Sequence, residues 1–200
     1  MDLIFNNQTY SYDYTPTNLQ IIERSKELLE DKYYFEYFIL DRTEKIESPE
    51  ELLSRKLKDE TVLELIAKEA VDFVKNLLDS TYSYLDNANP YIEVLVDKFY
   101  SHPSPDAWAD LSNLFEGIDW ILSMINVVEN SKFRPSNWSE VVENISNFEG
   151  ELSNLEEALE NTDSVLIADI LKYEALPVFQ SIKEQVELAI KNYGDADDLN

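Results

Sequence analysis

Carboxylates are the side chains with chemical potential that this sequence holds in excess. It contains 41 Asp and Glu against 16 Lys and Arg, and a single histidine. Acids three or four positions apart share one face of a helix, where their oxygens could hold Mg²⁺. Glu156, Glu157 and Glu160 have this spacing, and they flank Leu155 and Leu159, as residues on the solvent side of a helix would.

Two interpretations of Glu156, Glu157 and Glu160 stay open. All-helical nucleotide pyrophosphohydrolases hold magnesium with paired acids of this kind, so a magnesium-dependent carboxylate-cluster hydrolase is one alternative function. In a chain this acidic, however, pairs with the same spacing arise by chance, and solvated helix faces carry them. We therefore expect a solvated face, whose three glutamates are candidate interaction residues, and we predict no metal ligand, no catalytic residue and no cofactor.

A second polar cluster consists of Asp169, Tyr173 and Glu174, which interrupt an otherwise apolar run from 165 to 176. Pro177 follows closely; it removes one helical hydrogen bond and frees the carbonyl of Tyr173, so we expect a kink there. A buried acid in this run would need a partner such as a tyrosine hydroxyl or a lysine. Structural hydrogen bonding is the simpler interpretation. If the chain has a polar functional site, we predict that it includes these three residues.

The sequence lacks the residues that other common catalytic chemistries require. No cysteine occurs, which removes disulfides, thiolate metal sites and thiol nucleophiles. The three glycines are far apart, so no phosphate-cradling loop can form. His102 is predicted to lie in a loop, and no Gly-x-Ser-x-Gly motif accompanies it.

Charge indicates which partners to expect. The formal net charge of -25 would repel phosphate backbones and anionic lipids, so we expect neither nucleic acid nor membrane as a partner. Between Pro135 and Leu171 nine acids occur and no Lys or Arg. This stretch predicts an acidic helical surface, which would serve either to dock a basic protein or only to keep the chain soluble.

The leading functional hypothesis is a non-enzymatic interaction module, an adaptor or chaperone-like protein that presents this acidic surface to a protein partner. An acidic mimic of nucleic acid is a further alternative. The first residues lack the basic and apolar regions of a signal peptide, and no apolar run has the length of a membrane span. We therefore expect a cytoplasmic protein.

The first part of the chain, residues 1–65, reads as a small ββαββ-like subdomain. Asn6-Asn7 and the turn after Leu40 each separate two strand-like runs, and Thr17 with Gln20 forms a capping box that begins a helix. Residues 61–65 complete a β-grasp-like sheet. If the aromatic run Tyr33–Leu40 were instead a buried helix, the chain would be all-α.

Residues 66–194 predict a mainly antiparallel helical bundle, with a frayed acidic tail at 195–200, so the fold class is α+β. Apolar residues repeat every three or four positions from 108 to 125 and from 141 to 159. The second seam is typical of close antiparallel packing or of a coiled coil, and a coiled coil would also allow a homodimer. We expect a new helix to begin at Pro90 and a capping box at Asn137.

Two stretches of the bundle resemble an uncharacterised helical family of Gram-positive bacterial proteins. One combines Trp108 with the motif Leu-Phe-Glu-Gly-Ile-Asp-Trp at 114–120, and the other is Asp-x-Val-Leu-Ile-Ala-Asp-Ile-Leu-x-Tyr-Glu-x-x-Pro at 163–177. The resemblance implies a helical architecture over about two-thirds of the chain. It implies no catalytic residue.

Overall fold

The fold is taken from a computed structural model, which describes residues 1–197 without the side chains of Leu152 and 194–197. Contacts divide the chain into two compact units, the first being Met1–Phe73 and the second beginning at Val74. A five-stranded sheet in the first unit and helices in the second confirm the α+β class.

Strands dominate the first unit and alternate with two helices. In chain order the elements are β1 (Asp2–Phe5), β2 (Gln8–Ser11), α1 (Asn18–Leu29), β3 (Tyr33–Leu40), β4 (Glu44–Ile46), α2 (Pro49–Leu53) and β5 (Val62–Glu69). The sheet order is β2-β1-β5-β3-β4, with β1 and β5 parallel and the remaining pairs antiparallel. This is a β-grasp-like arrangement, as the sequence predicted. The all-α alternative is wrong, because Tyr33–Leu40 forms a strand.

Local signals account for the connections in this unit. Asn6 and Asn7 have φ values of 48° and 62°, the left-handed conformation that a tight hairpin turn requires and asparagine tolerates. Thr17 accepts a hydrogen bond from the Gln20 amide, and the Gln20 side chain bonds back to the Thr17 amide, so the capping box is formed. Ser48 caps α2 in a similar way.

Helices make up the second unit. They are α3 (Ala70–Tyr100), α4 (Pro105–Glu129), α5 (Trp138–Glu160), α6 (Ser164–Ile170) and α7 (Leu176–Asp197), with a π-helical turn at Leu171–Ala175 that joins α6 to α7. The start of α3 belongs to the first unit. Residues 198–200 of the predicted acidic tail lie outside the described residues, and α7 continues to Asp197, beyond the Gly194 at which we expected it to end.

One apolar core holds these helices together. The seams of α4 and α5 both contribute to it, as do α6, the π-helical turn and α7. Trp138 is fully buried and donates its indole N–H to the carbonyl of Ile125, which joins the start of α5 to α4. Because α5 turns its apolar seam inwards, its glutamates remain at the surface.

Two predictions about where helices begin are also wrong. The predicted bundle begins at Ile66, but this residue lies in β5, where it pairs with Tyr37 of β3. Helix α3 continues through Pro90, whose ring is exposed while Ala88 and Ile92 on either side remain buried. Burial of this continuous apolar face outweighs the hydrogen bond that proline removes.

Asn137 does not cap α5. Its side-chain amide instead donates to the backbone carbonyl and the side-chain oxygen of Gln185 on α7, at 2.8 and 2.9 Å. The sequence signal for a cap is local, whereas the observed partner lies 48 residues away.

Gly117 is the glycine that packing requires. It is buried on α4, and a Cβ at this position would overlap the phenol of Tyr84 on α3. Gly117→Ala should therefore lower the free energy of unfolding by about 1 to 3 kcal/mol, the usual cost of overpacking. Urea denaturation followed by tryptophan fluorescence measures this, since the Trp120 ring lies 5.7 Å from that of Tyr84.

Gly150 on α5 provides the matched control, because a Cβ there would meet nothing within 4 Å. Gly150→Ala should raise the free energy of unfolding by about 0.5 to 1 kcal/mol, since alanine has the higher helix propensity. A stabilising Gly117→Ala would contradict the assigned packing of Tyr84.

Candidate functional site

Four of the six predicted site residues meet in one cavity of the helical unit. This cavity, which we call the acidic groove, has a volume of about 300 Å³ and lies between α5 and the segment formed by α6 and the π-helical turn. It is lined by Glu151, Asn154, Glu157, Leu166, Asp169, Ile170, Tyr173 and Glu174.

Glu156 and Glu160 lie outside the acidic groove. Glu156 lines a second cavity of about 290 Å³ between α4 and α5, and Glu160 is exposed at the end of α5. Successive helical residues are about 100° apart around the axis, so Glu156 and Glu157 face different sides of α5. Glu151 is a groove residue that sequence reasoning missed; its spacing of six from Glu157 gave no pair signal.

The π-helical turn shapes one wall of the acidic groove. The Leu176 amide donates to the carbonyl of Leu171 five residues earlier, and Pro177 has no N–H to donate to Tyr173. Between buried Leu171 and Ala175, three consecutive side chains are exposed, those of Lys172, Tyr173 and Glu174. The irregularity expected from Pro177 takes the form of this wide turn.

Asp169 has a hydrogen-bond partner that sequence reasoning did not identify. The hydroxyl of Tyr100, at the end of α3, donates to the Asp169 Oδ1 atom at 2.5 Å. This bond raises the pKa of Tyr100 to about 12, with smaller contributions from desolvation and from the charge of Asp169. The phenol thus remains a neutral donor throughout the physiological range.

Lys172 is the single basic residue from 136 to 182, and it lies over two tyrosine rings. Its Nζ atom is 5.6 Å from the ring centroid of Tyr100 and 5.3 Å from that of Tyr173. Both distances are in the range of cation–π interactions. An ammonium group is therefore already accommodated beside the acidic groove.

Apolar side chains are exposed at the edge of the groove. Tyr173 is 60% exposed, Val165 53% and Leu166 39%. Exposed apolar groups next to carboxylates are suited to bind a ligand that carries both a cation and apolar surface. Among the side chains that the structure describes, no group of three or more His, Asp or Glu is placed to hold a metal ion.

The cavity that Glu156 lines differs in character, and we call it the apolar groove. It is lined by Phe115, Ile118, Asp119, Leu122, Leu155, Glu156 and Leu159. Its floor is apolar, and its two polar lining residues are both acids. The acidic and apolar grooves flank the same two turns of α5, from 151 to 159.

Comparison with protein families identifies the helical unit. A family model described as "Domain of unknown function (DUF8042)" matches residues 76–185, more than half of the chain. The chain belongs to this family. Both grooves of this DUF8042 member, and both motifs on which the resemblance was based, lie within the matched residues.

Neither a search of curated proteins nor a search of solved structures gives a match. No helix within the described range is long and apolar enough to cross a membrane.

The Tyr100–Asp169 hydrogen bond predicts how Tyr100 titrates. Because its folded-state pKa lies above the ordinary value of about 10, the bond stabilises the fold fully below that pH, and the contribution is lost as the pH rises towards 12. In Asp169→Asn the pKa of Tyr100 should fall towards 10. The NMR signal of the tyrosine Cζ carbon measures this ionisation residue by residue.

Tyr91 is the internal control for this titration. Its pKa is also raised to about 12, by desolvation and by a hydrogen bond to Asp110, and should not change in Asp169→Asn. An unchanged titration of Tyr100 in the variant would refute the bond to Asp169.

Proposed function

We propose that this chain is a non-enzymatic protein-interaction module, an adaptor or chaperone-like protein, whose acidic groove binds a basic segment of a protein partner. The observation that carries the proposal is the groove lining, in which Glu151, Glu157, Asp169 and Glu174 lie beside exposed Leu166 and Tyr173. Lysine and arginine combine a cation with an apolar stem and match both features.

Electrostatics favours such a segment before and after contact. A net charge of -25 attracts basic surfaces over a distance that salt limits to about 10 Å at 0.1 M. Within the groove, four carboxylates attract the same bound cation, so their Coulomb contributions add. We therefore expect fast, salt-sensitive association, and contacts with Leu166 and Tyr173 that are less sensitive to salt.

Lys172 provides an internal analogue of the expected ligand. Its ammonium group lies over the rings of Tyr100 and Tyr173, which are electron-rich surfaces that a partner's lysine or arginine would also use. A partner's cation that displaced Lys172 would contact the same two tyrosine rings. It would also interact with the four carboxylates of the acidic groove.

The other functional hypotheses have weaker support. A magnesium hydrolase needs acids that converge on an ion, and the described residues offer no such group. No specific geometry favours a nucleic-acid mimic. A homodimer through the acidic groove would bring two strongly negative surfaces together. A cytoplasmic location and a Gram-positive bacterial origin remain part of the proposal, on the basis of the sequence.

Neutralising the acidic groove tests the proposal. In Glu157→Gln/Glu174→Gln, capture of partners from lysate should fall about tenfold or more, because two charges that face the bound cation are lost. Glu143→Gln/Glu149→Gln is the matched control, since it removes the same charge from exposed positions of α5 outside the groove. Quantitative mass spectrometry of captured proteins at low and high salt gives the measurement.

The control variant should retain the partners that the groove variant loses, and high salt should release them from the unmodified chain. Equal loss in both variants would show that only net charge matters, and it would contradict a specific groove.

Lys172 gives a second prediction of opposite sign. Lys172→Gln should tighten binding of a basic partner severalfold, because it removes a competing cation worth about 0.5 to 1 kcal/mol at an exposed site. Lys191→Gln removes the same charge on α7, from a pair with Glu187, and should have a smaller effect. Isothermal titration with a lysine- and leucine-containing peptide compares the two; weaker binding by Lys172→Gln would refute the competition.

A further inference from the structure

The apolar groove between α4 and α5 has the form of a docking site. Phe115 and Leu122 of α4 and Leu159 of α5 line it and are only half-buried, whereas Leu155 at its base is 2% exposed. Apolar side chains that enclose a cavity of about 290 Å³ leave room for an additional apolar group, whose burial would remove surface from water on both sides.

The charges at this groove restrict what fills it. Asp119 and Glu156 are its polar lining residues, and both are exposed acids, so the complementary occupant is apolar with basic neighbours. A second copy of this chain fits poorly, because each copy carries a net charge of -25. A basic amphipathic helix meets both requirements, since cationic residues border its apolar stripe.

Two residues with small side chains lie on the exposed face of α5. Gly150 and Ser153 lie on its solvent-exposed side, and no internal contact explains the glycine, because a Cβ there would meet nothing within 4 Å. Glycine within a helix is destabilising relative to alanine. Small residues here allow another backbone to approach α5 closely.

We propose that the apolar groove receives an apolar side chain from a basic amphipathic helix of the partner, which crosses α5 at Gly150 and Ser153 and places a lysine or arginine in the acidic groove. This inference rests on the proposed function, and it adds a second binding point and the class of the partner segment. The partner helix has to span α5, which is about 10 Å wide, and it rises about 1.5 Å per residue. Its two anchoring side chains should therefore be about seven positions, or two turns, apart.

A matched pair of peptides tests this inference on the unmodified full chain. Both peptides are helical and carry the same lysines. They differ at one position, seven residues from a lysine, where the first has leucine and the second has glutamine. The leucine peptide should bind about tenfold more tightly, the factor expected from burying one leucine. It should also shift the NMR methyl signals of Leu122 and Leu159, whereas the glutamine peptide should not.

Variants of the chain give an independent measurement. Leu122→Ser should abolish the preference for the leucine peptide, whereas Leu188→Ser, at an exposed leucine of α7, should preserve it. Gly150→Gln should weaken both peptides about tenfold if they cross α5 at this point, and Glu149→Gln on the same helix should have a smaller effect.

The outcomes separate this inference from the proposed function. If both peptides bind the acidic groove equally well and the methyl signals of Leu122 and Leu159 do not move, the second binding point is refuted while the proposed function stands. If neither peptide binds, both are refuted. A tenfold preference for leucine that Leu122→Ser removes supports both.

Discussion

The arrangement of the helical unit depends on burial of the apolar seam of α5. Val141, Ile145, Phe148 and Leu155 belong to the core shared with α4, α6 and α7. Each such side chain contributes about 1.5 to 3 kcal/mol relative to exposure, which far exceeds what a surface ion pair provides. With this seam inside, the glutamates of α5 have to lie at the surface, and those next to α4 or α6 become the rims of two grooves.

The two motifs noted in the sequence acquire a physical role in this arrangement. In the first, the absence of a side chain at Gly117 leaves space for the phenol of Tyr84 on α3. The second motif builds one wall of the acidic groove, since its Asp163 caps α6 and its Pro177 follows the π-helical turn. The motif therefore encodes a wall on which acids and exposed apolar groups alternate.

Much of the fold could be predicted, because its signals are local. Asn6-Asn7, the capping box at Thr17 and the aromatic strand Tyr33–Leu40 each have a physical cause within a few residues. The predictions were wrong where residues distant in the sequence determine the local structure. Ile66 pairs with Tyr37 of strand β3, and the Asn137 side chain donates to Gln185, 48 residues away.

The site was predictable in part for the same reason. Asp169, Tyr173 and Glu174 stand out as polar residues in an apolar run, whereas Glu151 and the partner Tyr100 do not, because their roles depend on how helices pack. Glu156 and Glu157 are adjacent in sequence but serve different grooves, since one residue along a helix turns the side chain by about 100°.

The central claim is that the acids of α5 and α6 form a protein-binding surface, and hydrogen–deuterium exchange tests it most directly. Amide exchange of the full chain would be compared with and without a captured partner at saturating concentration. Our account predicts slower exchange in segments 146–160 and 164–176, with little change in the sheet of the first unit. Protection confined to the sheet, or none in these two segments, would contradict it.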